Sequence, residues 1–340
     1  MQILARPNQT VVAAPTPINP ASSSSSRKAT MGHTATSGSL GPPIRRGRPS
    51  GWADRHFKWL MVAPAVLIIL AFSIYPLLFS LWVAFVNYDF QIPGHAFVGL
   101  DNFRQIIDDP LAWSSLGLTV ALSITVVAIE FVLGLALALA MVKTFRGRGI
   151  VMSILIIPLF ISPVIVGQSW ALFLQRPFGP ADYLLSQLIG RQVEISWVGE
   201  VPWVYFAIVL ADVWQWTPFM FVILLAGLAA IPPHLYEAAE LDGVGAVQTF
   251  LYVTLPQLAP VILLGVTLRL LDAVKLFDVI FMLTGGGPGT STYTTSFYLY
   301  QIGFQQFHLS IATAGSWMFL VLLSAVIIAL VRRLLNAEMA

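Results

Sequence analysis

The sequence predicts an all-α polytopic membrane protein built of six transmembrane helices. Three observations predict it. Of 340 residues, 57% are hydrophobic and only 10% charged, where a soluble domain carries about 25% charged residues. Six windows, 59–86, 116–142, 150–174, 203–230, 257–284 and 311–335, each exceed or match the roughly 20 mostly apolar residues that a crossing helix needs. Lys and Arg gather between alternate windows, which fixes an orientation by the positive-inside rule.

The first 54 residues stand apart. Runs such as "ASSSSSRKAT" and "GPPIRRGRPSG" cannot bury enough apolar surface to offset the entropy of ordering them, so a disordered basic cytoplasmic tail is expected there. The tail lacks the compact apolar stretch of a secretory signal, and no cleavage is expected. The membrane domain then runs over 55–340. Arg45, Arg46, Arg48, Arg55 and Lys58 precede the first span, Lys143, Arg146 and Arg148 fill the next loop on that side, and Arg332 and Arg333 follow the last span. The opposite loops hold only Arg104, Arg176 and Arg191. Both termini are therefore expected in the cytoplasm. Pro64, Pro76, Pro158, Pro163 and Pro218 lie inside spans, where each removes a helix hydrogen bond and favours a kink. The fifth window carries four charges and is the least regular.

Composition also excludes. A net charge of +2, with basic residues clustered between apolar runs, gives no basic face for nucleic acid. The chain has no Cys, hence no disulfide framework, thiolate metal site or Cys nucleophile. His33, His56, His95, His234 and His308 are scattered without metal-ligand spacing. The stretch "TGGGPGTST" at 284–292 lacks the Lys that a phosphate-binding loop needs, and is expected to be a flexible exit from the fifth span. Asp108 and Asp109 before Pro110 read as a helix cap or turn.

The loop 231–256, "IPPHLYEAAELDGVGAVQTFLYVTLP", lies on the basic side of the membrane yet holds no Lys or Arg; it has Glu237, Glu240 and Asp242 instead. Pro232 and Pro233 end the fourth span, 234–241 suits a short helix, Gly243 and Gly245 permit a turn, and 246–254 suits a second helix. Glu237-Ala238-Ala239, Gly243, Val253 and Leu255-Pro256 resemble, at every spacing, the EAA loop of ABC importer permeases. Val253 stands where that pattern has Ile. The resemblance implies that Glu237, Ala238, Ala239, Gly243, Leu255 and Pro256 form a knob seated in a groove of a separate ATPase subunit. Small Ala side chains permit close approach, and a carboxylate makes strong charge-assisted bonds to a partner cation.

Further stretches resemble the carbohydrate-uptake permeases of the maltose MalF type: "FDVIFMLTGGGPGTSTYTTSFYLY" at 277–300, "ADVWQWTPFMFVILLAGLAAIP" at 211–232, "EFVLGLALALAM" at 130–141 and "LDNFRQI" at 100–106. The resemblance spans about 55–335, the short six-span form. It implies an inner (plasma) membrane protein of a bacterium that is not itself an enzyme. Its cargo would be an oligosaccharide, glucoside, polyol or glycerol phosphate. The implied partners are a second homologous permease (MalG-like), an ATPase dimer holding ATP and Mg, and a periplasmic or lipid-anchored solute-binding protein. No cofactor is implied on this chain.

Charged residues inside spans are costly and mark interior or water-facing positions. They are Glu130, Asp212, Arg269, Asp272, Lys275 and Asp278. The last four recur every three residues with alternating sign, which fits either the lining of a pathway or an ion-pair ladder between helices. A sugar site combines aromatic platforms with a few hydrogen-bonding groups. Asp212, Trp214, Gln215, Trp216 and Thr217, with Asp272, Phe277 and Asp278, are the candidates, and Trp at a membrane interface is the competing explanation. Two other readings stay open: an ABC permease for a non-sugar solute, and an ion-coupled secondary carrier using the 269–278 charges.

Overall fold

The computed structural model describes residues 53–88, 94–177 and 179–338. The expected tail, apart from Ala53 and Asp54, lies outside them. Contacts divide the chain at Val62. The described part of the first unit is the opening of one helix, and all packing below concerns the second, Ala63–Ala340.

Among the described residues the secondary structure is helical, with one isolated bridge between Val86 and Phe97. The helices are α1 (Ala53–Val83), α2 (Asp101–Asp108), α3 (Pro110–Met141), α4 (Arg148–Ile156), α5 (Pro163–Phe173), α6 (Pro180–Ile189), α7 (Trp203–Ala230), α8 (Pro233–Leu241), α9 (Ala246–Thr249), α10 (Leu255–Ala273), α11 (Asp278–Leu283), α12 (Thr295–Tyr300) and α13 (Leu309–Glu338). Five stretches are long and apolar enough to cross a membrane, and a bent pair makes six if it counts as one span.

Two windows differ from expectation. The third is not one rod. A 3₁₀ turn at Ile157–Phe160 follows α4, and the axis bends by 98° before α5. Pro158 and Pro163 flank that bend, and neither supplies a backbone N–H to carry the helix through it. The fifth is shifted. A π-helical turn at Phe250–Thr254 fuses α9 to α10, so one 28-residue helix runs Ala246–Ala273, about 42 Å at 1.5 Å per residue. The second arm of the 231–256 loop is thus the start of the fifth span, and that span stops at Ala273.

The core is centred on α7, whose most apolar stretch is 61% buried against 6% for α1. Val126, Val127 and Ala138 of α3 pack with Val213, Met220, Phe221 and Leu224 of α7 and Leu258 of α10. Gly134 makes this possible: a Cβ there would lie 2.9 Å from both the Met220 Cβ and the Phe221 nitrogen. In lipid, where apolar attraction between helices is absent, such close backbone approach is what joins them. A second cluster joins Leu122, Ala207, Ile208 and Ala211 to Val279, Ile280 and Leu283 of α11. Asp109 caps α3, accepting from the Leu111 nitrogen at 2.8 Å, and also accepts the Tyr298 hydroxyl at 2.6 Å.

The glycine-rich stretch is an ordered loop, not a loose exit. The Thr284 and Thr292 hydroxyls meet at 2.8 Å, Thr292 donates to the Gly287 carbonyl at 2.9 Å, and Thr294 donates to the Leu276 carbonyl at 2.8 Å.

Candidate functional site

Inside the bundle one guanidinium collects three carboxylates from three helices. Arg269 of α10 is 1% exposed. Its Nε and Nη2 donate to both oxygens of Glu130 on α3 at 2.8 and 2.9 Å. Nη2 also donates to Asp212 on α7, and Nη1 to Asp272 one turn along α10 at 3.1 Å. Glu130 and Asp212 are buried, whereas the Asp272 side chain is half exposed. The Arg269 guanidinium carbon also sits 4.9 Å over the Trp216 ring. Arg suits this node because its planar fork bonds two oxygens at once and stacks on an aromatic face.

The ladder suggested by the spacing is present only in its first rung, Arg269 to Asp272. Beyond Ala273 the chain turns, Lys275 nitrogen donating to the Asp272 carbonyl and Leu276 nitrogen to the Ala273 carbonyl. Asp278 then opens α11 as a separate helix. No ion pair joins Lys275 or Asp278 to another described residue.

Next to the node lies a cleft of about 230 Å³ walled by Pro163, Asp212, Trp216, Arg269, Asp272, Lys275, Phe277 and Asp278, among others. It joins two aromatic rings with carboxylates and an ammonium group, the mixture that a polyhydroxylated solute needs. Five of the cargo candidates meet there: Asp212, Trp216, Asp272, Phe277 and Asp278. Trp214 points elsewhere, into an apolar cleft of about 320 Å³ with Ile161, Ile165 and Trp170, whose ring it meets edge to face. Gln215 is 1% exposed and donates to the Ile161 carbonyl at 2.9 Å, at the bend between α4 and α5. Thr217 is buried, with no hydrogen-bond partner for its hydroxyl. Arg269 and Lys275 are visible in the sequence as span charges but not as walls of this cleft, and Glu130 is visible as a span charge but not as the partner of Arg269.

At the other end of the long helix, α8 and α9 form a compact turn. Gly243 has φ +69°, left-handed backbone that a side chain disfavours. Asp242 and Val244 nitrogens return to the Ala238 and Ala239 carbonyls at 3.0 Å each. Ala239 is buried, Glu237 and Ala238 are exposed, and the Tyr236 and Thr254 hydroxyls lie 3.3 Å apart, tying α8 to the π-helical turn. Leu255 is partly buried and Pro256 exposed at the start of α10. Leu241 and Val247 are 89% and 72% exposed on this turn. Among the described residues no group of His, Asp and Glu is arranged to hold a metal ion.

A membrane-crossing helical bundle with a polar cleft between its helices and a protruding two-helix turn is the form of a transport permease. Residues 130–337 match the family described as binding-protein-dependent transport system inner membrane component, and the chain belongs to that family. It is 37% identical over 255 residues to the trehalose/maltose transport system permease protein MalF of Thermococcus litoralis, covering 74% of this chain and 86% of that protein. It is 35% identical over 268 residues to the trehalose transport system permease protein SugA of Mycobacterium tuberculosis, covering 78% and 85% respectively. A chain of the bacterial alginate ABC transporter, solved in complex with its alginate pentasaccharide-bound periplasmic protein, superposes with a TM-score of 0.71 at 25% identity, over 83% of this chain and 95% of that one. The protein is thus a multi-pass permease subunit of an ABC importer rather than an enzyme.

Proposed function

We propose that this chain forms one half of the pathway for a sugar in a heteromeric importer of a bacterial inner membrane. A second, homologous permease supplies the other half, an ATPase dimer holds ATP and Mg, and a solute-binding protein delivers the cargo from outside. The observation that carries the cargo reading is the cleft, where Trp216 and Phe277 stand beside Asp212, Asp272 and Asp278. Sugars offer an apolar ring face and a rim of hydroxyls, and this wall offers a partner to each. Two relatives are named for trehalose or maltose transport, which agrees with it.

The coupling role falls to the turn bearing Glu237, Ala238, Ala239 and Gly243, with Leu255 and Pro256 at the root of the long helix. Its exposed Leu241 and Val247 beside Glu237 suit a protein groove, which would cover apolar groups and pair the carboxylate. In this reading the turn and both termini face the cytoplasm, and residues 1–54 form a tail outside the permease domain. ATP-driven closure would displace the turn, and the helix Ala246–Ala273 carries that movement to the cleft wall at Asp272.

The test is uptake of radiolabelled trehalose and maltose by the complete importer in proteoliposomes. Asp212→Ala and Trp216→Ala are expected to lower uptake far more than they lower the amount of assembled complex. Wild-type kinetics in both variants for both sugars would place the pathway elsewhere.

A further inference from the structure

The node at Arg269 borders the cleft, where Trp216 and Asp272 stand beside it on the wall. Arg269 is 1% exposed, and Glu130, the carboxylate it grips with two bonds, is 0% exposed and does not line the cleft. An arginine needed only to neutralise Glu130 and Asp212 would have no reason to extend further. This one also lies over Trp216 and donates to Asp272, both on the cleft wall. Trp216 is only partly buried; its ring meets Phe219 edge to face at 6.3 Å on its own helix, and Arg269 meets it from another helix.

We propose that Arg269 is a positioning residue for cargo: anchored by Glu130, it fixes the Trp216 ring and the Asp272 carboxylate on the cleft wall. The inference rests on reading the cleft as the sugar pathway. Its physical basis is the fork. Two of the three guanidinium nitrogens are locked by Glu130 on α3, a helix held against α7 at Gly134. The plane of the guanidinium is thereby set, and with it the face that Trp216 meets. Lysine at this position would keep one charge but would lose the two-point grip and the flat stacking face.

The experiment measures trehalose or maltose moved per ATP hydrolysed by the complete importer in proteoliposomes, with the amount of assembled complex determined for each variant. Trp216→Ala is expected to lower the ratio roughly tenfold, as loss of one stacking platform. Arg269→Lys is expected to lower it about fivefold. The double variant should fall below Trp216→Ala alone by clearly less than the factor that Arg269→Lys shows by itself, because the part of its effect that runs through the ring is already lost and only the part through Asp272 remains. Glu130→Gln, isosteric and still able to accept one bond, should shift the ratio the same way by less.

A wild-type ratio in Arg269→Lys beside a lowered ratio in Trp216→Ala would overturn the inference and leave the cleft as pathway. So would effects that simply multiply. Failure of both Arg269→Lys and Glu130→Gln to assemble would make the node a folding element and overturn it too. A wild-type ratio in Trp216→Ala would instead remove the cleft reading on which the inference stands, and transport of neither sugar by the unaltered importer would overturn both.

Discussion

Glu130 and Arg269, 139 residues apart, hold one another by two parallel bonds of 2.8 and 2.9 Å in the middle of the bundle. Taking a carboxylate and a guanidinium out of water costs several kcal/mol for each, and a two-point geometry with further partners is what offsets it. Asp212 and Asp272 are those partners. The pair therefore does more to specify which helices meet than to stabilise their meeting.

Removal of one partner should expose that cost. Arg269→Met leaves Glu130 and Asp212 buried without a cation and is expected to destabilise the assembled permease by about 3–5 kcal/mol. Thermal unfolding of the detergent-purified complex checks this. Adding Glu130→Gln and Asp212→Asn to Arg269→Met should recover part of the loss, since the stranded charges are then gone. A triple variant no more stable than the single one would count against the account.

Gly134 sits one helical turn beyond Glu130 on the same face of α3. The gap it leaves is what lets α3 lie against Met220 and Phe221. Gly134→Leu should push α3 from α7, cost about 1–3 kcal/mol by overpacking, and lower the yield of assembled complex. Gly117, where a Cβ would meet nothing within 4 Å, should accept Ala without loss. Equal yields from Gly134→Leu and Gly117→Ala would contradict the close approach.

Gly243 separates backbone from docking. A Cβ there meets nothing within 4 Å, so only the positive φ resists a side chain. Asn and Asp both tolerate left-handed backbone better than other residues. Gly243→Asn should therefore keep the turn and most uptake. Gly243→Asp should insert at the wild-type level yet abolish uptake, because it adds a charge beside Glu240 and Asp242 on the proposed docking face. Uptake assays on membranes with matched permease content decide it, and normal transport by the Asp variant would end the coupling assignment.

Much of this was legible in the chain because the bilayer imposes a strong rule: backbone polar groups must be satisfied within a helix, so apolar length alone marks a crossing. Windows such as 203–230 coincide with α7 for that reason. The same rule hides what happens where a helix breaks. Ile150 to Leu174 is mostly apolar and carries no charge, and composition does not distinguish a straight span from one bent by 98°. Pro158 and Pro163 hinted at the bend, but Pro64 and Pro76 sit inside an unbroken α1. The 269–278 charges looked like one stripe because the spacing is regular; the stripe needs a continuous helix, and the helix ends at Ala273. Glu130 was conspicuous as a charge in a span, yet nothing local could name Arg269 as its partner.

Gln215 illustrates the same limit and allows a last test. By sequence it belongs with the cargo contacts, flanked by Trp214 and Trp216. Its side chain instead donates to the Ile161 carbonyl, a group between the 3₁₀ turn and α5. Gln215→Leu keeps the volume and strands that carbonyl, at a cost of about 1–3 kcal/mol. The expected signature is a lower thermal midpoint together with an equal fractional loss of trehalose and maltose transport. The equality matters. A residue touching cargo would shift the preference between two sugars, whereas a residue holding the bend moves Pro163, which walls the cleft for any solute. An altered trehalose-to-maltose preference in Gln215→Leu would return Gln215 to the pathway and require the bend to be held by something else.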